Sequence, residues 1–77
     1  MVSAYLLIKI EGGSNTAGAS LEHVRRRPEV KAIEWILGPY DCIVRCEVES
    51  VDALGALARQ VRACPGIAES TTCLVVE

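Results

Sequence analysis

The chain has 77 residues, enough for one domain with a small core, because a chain this short buries only about 60% of its unfolded surface. Hydrophobic residues make up 51% of it, high for its size, so apolar surface is left over for a subunit interface. A net charge of −2 gives the whole chain no pull toward DNA or a membrane surface. No apolar run approaches the ~18–20 residues that span a bilayer, and the N-terminus lacks the features of a signal peptide, so a cytoplasmic location is expected.

Residues 2–10 predict a first strand, with Leu6, Ile8 and Ile10 on one face and Tyr5, Leu7 and Lys9 on the other. Glu11-Gly12-Gly13-Ser14-Asn15 breaks it, and Ser14 or Asn15 is placed to cap a helix running to about Arg27. The apolar stripe of that helix is thin: Ala17, Leu21 and Val24. Gly18 weakens it by roughly 1 kcal/mol relative to alanine, and Pro28 stops it. Residues 30–37 form a second strand, followed by the turn Gly38-Pro39-Tyr40-Asp41. In the third strand, residues 42–48, Cys42, Val44, Cys46 and Val48 share one face, and Ile43, Arg45 and Glu47 the other. Ser50 caps a second helix with Asp52 in its first turn. Leu54, Leu57 and Val61 form its stripe, with Ala58 beside it. Pro65-Gly66 ends it, and residues 67–76 form the last strand.

The two halves repeat. Val24-Arg25-Arg26-Arg27-Pro28-Glu29-Val30 and Val61-Arg62-Ala63-Cys64-Pro65-Gly66-Ile67 both read Val-Arg-x-x-Pro-x-(Val/Ile). The duplication implies a βαββαβ sandwich of class α+β. Two helices with one apolar stripe each cover only one face of a four-stranded antiparallel sheet. The other face, carrying Tyr5, Leu7, Ile43 and Arg45, is too apolar to leave in water and is the expected dimer interface.

Cys42 and Cys46 lie four residues apart in one strand, which separates their Cα atoms by ~13 Å. That is too far for a disulfide or a shared zinc. With no Cys-x-x-Cys pair, the four cysteines are expected to be reduced and to act as small hydrophobes, with no metal site.

In the central turn, Asp41 is placed to accept a hydrogen bond from a ligand ammonium, and nearby backbone N–H groups to hold a carboxylate. The same residues also serve an ordinary turn. Ser70-Thr71-Thr72 places three hydroxyls in the last strand, with Ser70 and Thr72 on one side. They suit either a small polar ligand or simple β propensity. Arg25-Arg26-Arg27 sits at a helix C-terminus, where the dipole favours cations. His23 reads as a surface residue and Trp35 as packing at a sheet edge. No catalytic pair and no phosphate-binding glycine loop is present, so no enzyme and no cofactor is expected.

Together these residues resemble the C-terminal effector-binding (RAM) domain of the leucine-responsive/asparagine regulator family, Lrp/AsnC. The resemblance runs from Ala4-Tyr5-Leu6-Leu7-Ile8-Lys9-Ile10 through Arg27-Pro28-Glu29-Val30 and the Gly-x-Tyr-Asp turn at Gly38, Tyr40 and Asp41. It closes on Pro65-Gly66-Ile67 and Ser70-Thr71-Thr72. It implies a ferredoxin-like topology, dimerisation through the sheets and further assembly into octamer-like rings. It also implies small effectors, typically amino acids, bound between dimers near residues 38–41 and 70–72. Family members place a helix-turn-helix domain before this module. Here Met1 sits one residue before the first strand, so a single stand-alone domain over residues 1–77 is expected, with co-assembly with a full-length Lrp/AsnC regulator as one route to DNA. Two positions depart from the family pattern: Leu37 where a polar residue is common, and Pro39 where an acidic one is common. Pro39 also removes one N–H from the turn.

Three classes of function therefore stand side by side. The first is an amino-acid sensor linked to transcription. The second is an interaction module that oligomerises without effector. The third is a small dimeric α+β-barrel enzyme, with an ACT-type regulatory domain as the nearest rival in fold.

Overall fold

Strands and helices alternate as the duplicated sequence predicts: β1 (Val2–Ile10), α1 (Thr16–Arg25), β2 (Val30–Trp35), β3 (Cys42–Val48), α2 (Val51–Arg62) and β4 (Ile67–Leu74). The computed structural model describes residues 1–12 and 16–76. The proposed caps Ser14 and Asn15 and the side chain of Ala17 lie outside the described residues. The four strands form one sheet in the order β2-β3-β1-β4, with every pairing antiparallel. This is the ferredoxin-like βαββαβ arrangement.

The repeated phrase has one structural meaning in both halves. Arg27 N–H donates to Val24 C=O and Val30 N–H to Arg27 C=O; thirty-seven residues later, Cys64 N–H donates to Val61 C=O and Ile67 N–H to Cys64 C=O. Each proline follows directly, where the helix can no longer continue. Val24 and Val61 are both buried, so each phrase pins the end of a helix to the sheet before the chain enters a strand.

Strand alternation sets the core. Ala4, Leu6, Ile8, Cys42, Val44 and Cys46 are fully buried on the helix side and meet Leu21 and Val24 of α1 and Leu54, Leu57, Ala58 and Val61 of α2. Burying a leucine, isoleucine or valine side chain contributes about 1.5–3 kcal/mol, so these positions carry most of the folding energy. Ser50 caps α2 as expected, its Oγ accepting from Ala53 N–H at 3.1 Å.

Three elements end two residues earlier than the sequence suggested. Helix α1 stops at Arg25 rather than Arg27 because the Arg27-to-Val24 bond tightens its last turn. Strand β2 stops at Trp35 rather than residue 37 because Ile36 N–H turns to Asp41 C=O, leaving Leu37 fully exposed. Strand β4 stops at Leu74 rather than residue 76, after which Val75 N–H to Ser3 C=O makes one more link to β1.

Two expectations about single residues also change. Trp35 ends the edge strand β2 and is 56% exposed, so it is not a packed residue. The four cysteines are free, but only Cys42 and Cys46 fill the core. Cys64 is half-buried and Cys73 is exposed, because Cys73 alternates onto the open face opposite Tyr5.

Candidate functional site

The turn between β2 and β3 is held from two sides. Asp41 N–H donates to Ile8 C=O at 2.9 Å, and the Asp41 carboxylate Oδ2 accepts from Ile10 N–H at 2.9 Å. The regular β1–β3 ladder ends at Ile8 and Cys42, so the carboxylate stands in for the next strand carbonyl and prolongs the pairing. A charged acceptor makes this a strong hydrogen bond. On the other side Tyr40 Oη lies 3.3 Å from Thr71 Oγ1 and fastens the turn to β4. Gly38 and Pro39 remain exposed at the tip.

The three hydroxyls of β4 divide between the two faces of the sheet. Ser70 stands opposite Ile8 and Thr72 opposite Leu6, both on the helix side, whereas Thr71 stands opposite Leu7 on the open side. Ser70 is buried, and its Oγ has no hydrogen-bond partner among the described residues. Thr72 is exposed and borders a groove against α2. The structure therefore brings Tyr40 to Thr71 and Asp41 to the end of β1. It does not put Thr71 on the same face as Ser70 and Thr72. Of the polar side chains at the turn, the Tyr40 hydroxyl and one Asp41 oxygen are already engaged within the chain, and the second Asp41 oxygen has no partner among the described residues.

Tyr5, Leu7, Ile43 and Arg45 share the sheet face that no helix covers. Tyr5 is 40% exposed, Leu7 and Ile43 are half-buried, and Arg45 is exposed with Nη2 3.6 Å from Glu47 Oε2. Tyr5, Ala32, Glu34, Ile43 and Arg45 line a shallow depression of about 220 Å³ on this face. Arg25 and Arg27 of the triple-arginine run face Glu22 and Glu29 at 3.4 and 3.8 Å, a solvated pairing, and His23 is exposed.

Thiol chemistry is suppressed where the cysteines are buried. The Cys42 thiol is pushed up to about 11 by burial, with Arg25 opposing the shift and Asp41 adding to it. Cys46 is raised by burial and then by Glu29. Neither is a thiolate near neutral pH, so neither is an activated nucleophile. No three metal-ligating side chains converge among the described residues. No helix among them is long and apolar enough to cross a membrane.

Sequence reasoning passed over one surface. Val51, Leu54, Gly55, Ala58, Arg59, Arg62 and Thr72 line a groove of about 430 Å³ between α2 and the edge strand β4. The signal was present in the three- and four-residue spacing of the α2 positions, but it was masked by the stronger core stripe of the same helix.

No curated protein matches the chain. Among solved structures, a hypothetical protein from Pyrococcus horikoshii is 27% identical, with 100% of this chain and 92% of that one covered at a TM-score of 0.84. A protein from Thermus thermophilus is 26% identical, with 100% and 95% covered at a TM-score of 0.87. A feast or famine regulatory protein from M. tuberculosis, complexed with L-methionine, shares the fold at 22% identity and a TM-score of 0.81, with 100% of this chain but 51% of that one covered. The model of the Lrp/AsnC ligand binding domain matches residues 3–77, and the chain belongs to that family.

Proposed function

We propose that the chain is an amino-acid-sensing and oligomerisation module linked to transcriptional regulation. Its family is a ligand-binding one, and a relative of the same fold is a regulator complexed with L-methionine. The observation that carries the reading is the bracing of the β2–β3 turn by Asp41 and Tyr40. A ligand that engages the Asp41 oxygen left without a partner among the described residues, or displaces the long Tyr40–Thr71 contact, couples directly to the end of β1 and to the middle of β4. Both strands border the open face that carries Tyr5, Leu7, Ile43 and Arg45. An effector that favours one assembly shifts the equilibrium by its differential affinity for the two.

Both helices of these 77 residues pack on the sheet and the net charge is −2, so any effect on DNA passes through another domain or chain. Co-assembly with a full-length Lrp/AsnC regulator in the cytoplasm is the route we favour, with the open sheet face as the dimer contact and ring-like assembly beyond it.

The test is thermal unfolding against each of the twenty amino acids, with assembly size followed by light scattering. A selective rise in melting temperature with a change in size is expected. No shift with any of them overturns the amino-acid reading. It favours the second reading, an effector-independent scaffold, for which there is a specific observation: the Tyr40 hydroxyl and one Asp41 oxygen are satisfied inside the chain, and Pro39 supplies no N–H.

A further inference from the structure

We propose that the unpaired edge of β4, with the groove beside it, docks an extended acidic segment of a partner protein as an added strand. The strand order β2-β3-β1-β4 gives β4 a neighbour on one side only. Its pairing with β1 tells which backbone groups are left over. Val75 N–H donates to Ser3 C=O, and bonded pairs alternate with non-bonded ones along an antiparallel ladder. Tyr5–Cys73 and Leu7–Thr71 are therefore the bonded pairs, and the N–H and C=O groups of Ser70, Thr72 and Leu74 point away from β1. None of these groups makes another bond among the described residues.

Sheet edges are normally blunted by charges, prolines or bulges. The other edge strand is blunted in this way: β2 has 6 residues, carries Lys31 and Glu34, and shifts register between Val30 and Ala32. Strand β4 has 8 residues and neither lysine nor proline. Its one charge, Glu69, stands opposite Lys9 on the open face.

The groove beside this edge indicates what fits there. A strand paired with Ser70, Thr72 and Leu74 turns alternate side chains to the helix side, over the groove. The groove holds about 430 Å³; Val51, Leu54 and Ala58 supply its apolar wall, Arg59 and Arg62 its basic rim, and Thr72 its border on β4. No carboxylate lines it, and neither arginine pairs with an acid among the described residues. The dipole of α2 favours bases at this end but leaves them without a partner. The short link through Pro65 and Gly66 turns the chain back, so the arginines lie toward the start of β4 and Val51 toward its end. The matching segment carries acidic and apolar side chains two residues apart. A second copy of β4 does not match, because it presents Ser70, Thr72 and Leu74 on that side and no carboxylate.

The test uses the full chain and a fluorescein-labelled peptide, Thr-Glu-Thr-Leu-Thr-Glu-Thr, followed by anisotropy. Saturable binding is expected. The same peptide with lysine for glutamate should not bind. Nor should the acidic peptide N-methylated at its Glu and Leu residues, whose N–H groups would face β4. Arg59→Glu/Arg62→Glu, shown to be folded by circular dichroism, should weaken the acidic peptide at least about tenfold, the equivalent of one charge-assisted hydrogen bond, and should take up the lysine peptide instead. Lys31→Glu, the same kind of reversal on the opposite edge strand, should leave affinity unchanged. Amide exchange at Ser70, Thr72 and Leu74 should slow when the peptide is added, while Thr71 and Cys73, already bonded to β1, should not respond. The proposal is overturned if the acidic peptide does not bind, or if binding survives N-methylation or the arginine reversal. Slow exchange at Ser70, Thr72 and Leu74 in the chain alone would also overturn it, because a second copy would then occupy the edge.

Discussion

Replacing Asp41 by alanine removes the acceptor for Ile10 N–H at 2.9 Å while leaving the backbone bonds of residue 41 to Ile8 and Ile36 intact. Asp41 and Ile10 are both half-buried, so water only partly replaces the lost carboxylate. A hydrogen bond to a charged group contributes about 1.5–3 kcal/mol, and partial exposure puts the expected cost near 2 kcal/mol. For a domain of this size that is a fall of about 8–16 °C in melting temperature. In urea it lowers the midpoint by about 1–2 M, taking a slope of about 1–2 kcal/mol/M for a small protein. Asp41→Asn keeps an acceptor oxygen but no charge, and should cost about half as much. Urea titration followed by circular dichroism measures both. Amide exchange at Ile10 adds a local reading and should quicken more than exchange at Leu6, whose strand pairing is untouched. A loss below about 0.5 kcal/mol for alanine, within the range of an ordinary surface substitution, would refute the strand-prolonging role of the carboxylate. Equal losses for alanine and asparagine would refute the charge-assisted part of it.

Ser70→Ala should be neutral or stabilising by up to about 1 kcal/mol, because the buried Oγ has no partner among the described residues and its removal relieves a desolvation cost; a clear loss in urea melts would mean that a partner exists. Leu57→Ala should cost about 2–5 kcal/mol, as expected for a side chain only 2% exposed in the core, and retention of the wild-type midpoint would contradict the packing described. Alkaline pH should also destabilise the fold. The folded Cys42 pKa is raised from 9.0 to about 11, so below pH 9 both states keep the proton and the thiol makes no difference. Above it the unfolded chain loses the proton first, and stability falls across the interval at up to about 1.4 kcal/mol per pH unit. Cys42→Ala should flatten that part of the stability profile, and an unchanged slope between pH 9 and 11 would argue against it. Tyr5→Arg should reduce assembly size in light scattering, by placing a second charge beside Arg45 on the open sheet face; an unchanged mass would remove that face from the interface.

Much of the fold was legible because it depends on local periodicity. Alternation by two in β1 and β3 divides Leu6, Ile8, Cys42, Val44 and Cys46 from Tyr5, Leu7, Ile43 and Arg45, whichever strands are neighbours. The three-and-four spacing of Leu54, Leu57, Ala58 and Val61 identifies the inner face of α2 in the same way. The repeated Val-Arg-x-x-Pro phrase marks two equivalent helix ends, and the hydrogen bonds there are equivalent. The element ends were less legible, because the last turn of α1 and the tip at Leu37 depend on single long or tight hydrogen bonds rather than on composition.

The candidate site divides along the same line. The sequence by itself determined that Asp41 lies in a tight turn and that Ser70 and Thr72 share a side, since both follow from spacing along one segment. Only the tertiary structure decided that this side faces the helices, that Ser70 is buried there without a partner among the described residues, and that Thr71 reaches Tyr40 from the other face. It also decided that one oxygen of the Asp41 carboxylate is taken by Ile10 N–H. These facts depend on the register of β4 against β1, including its irregularity at Lys9 and Ile10, and on where β3 ends relative to β1. Register is set by the packing of the whole core, and a slip of one residue would reverse every face.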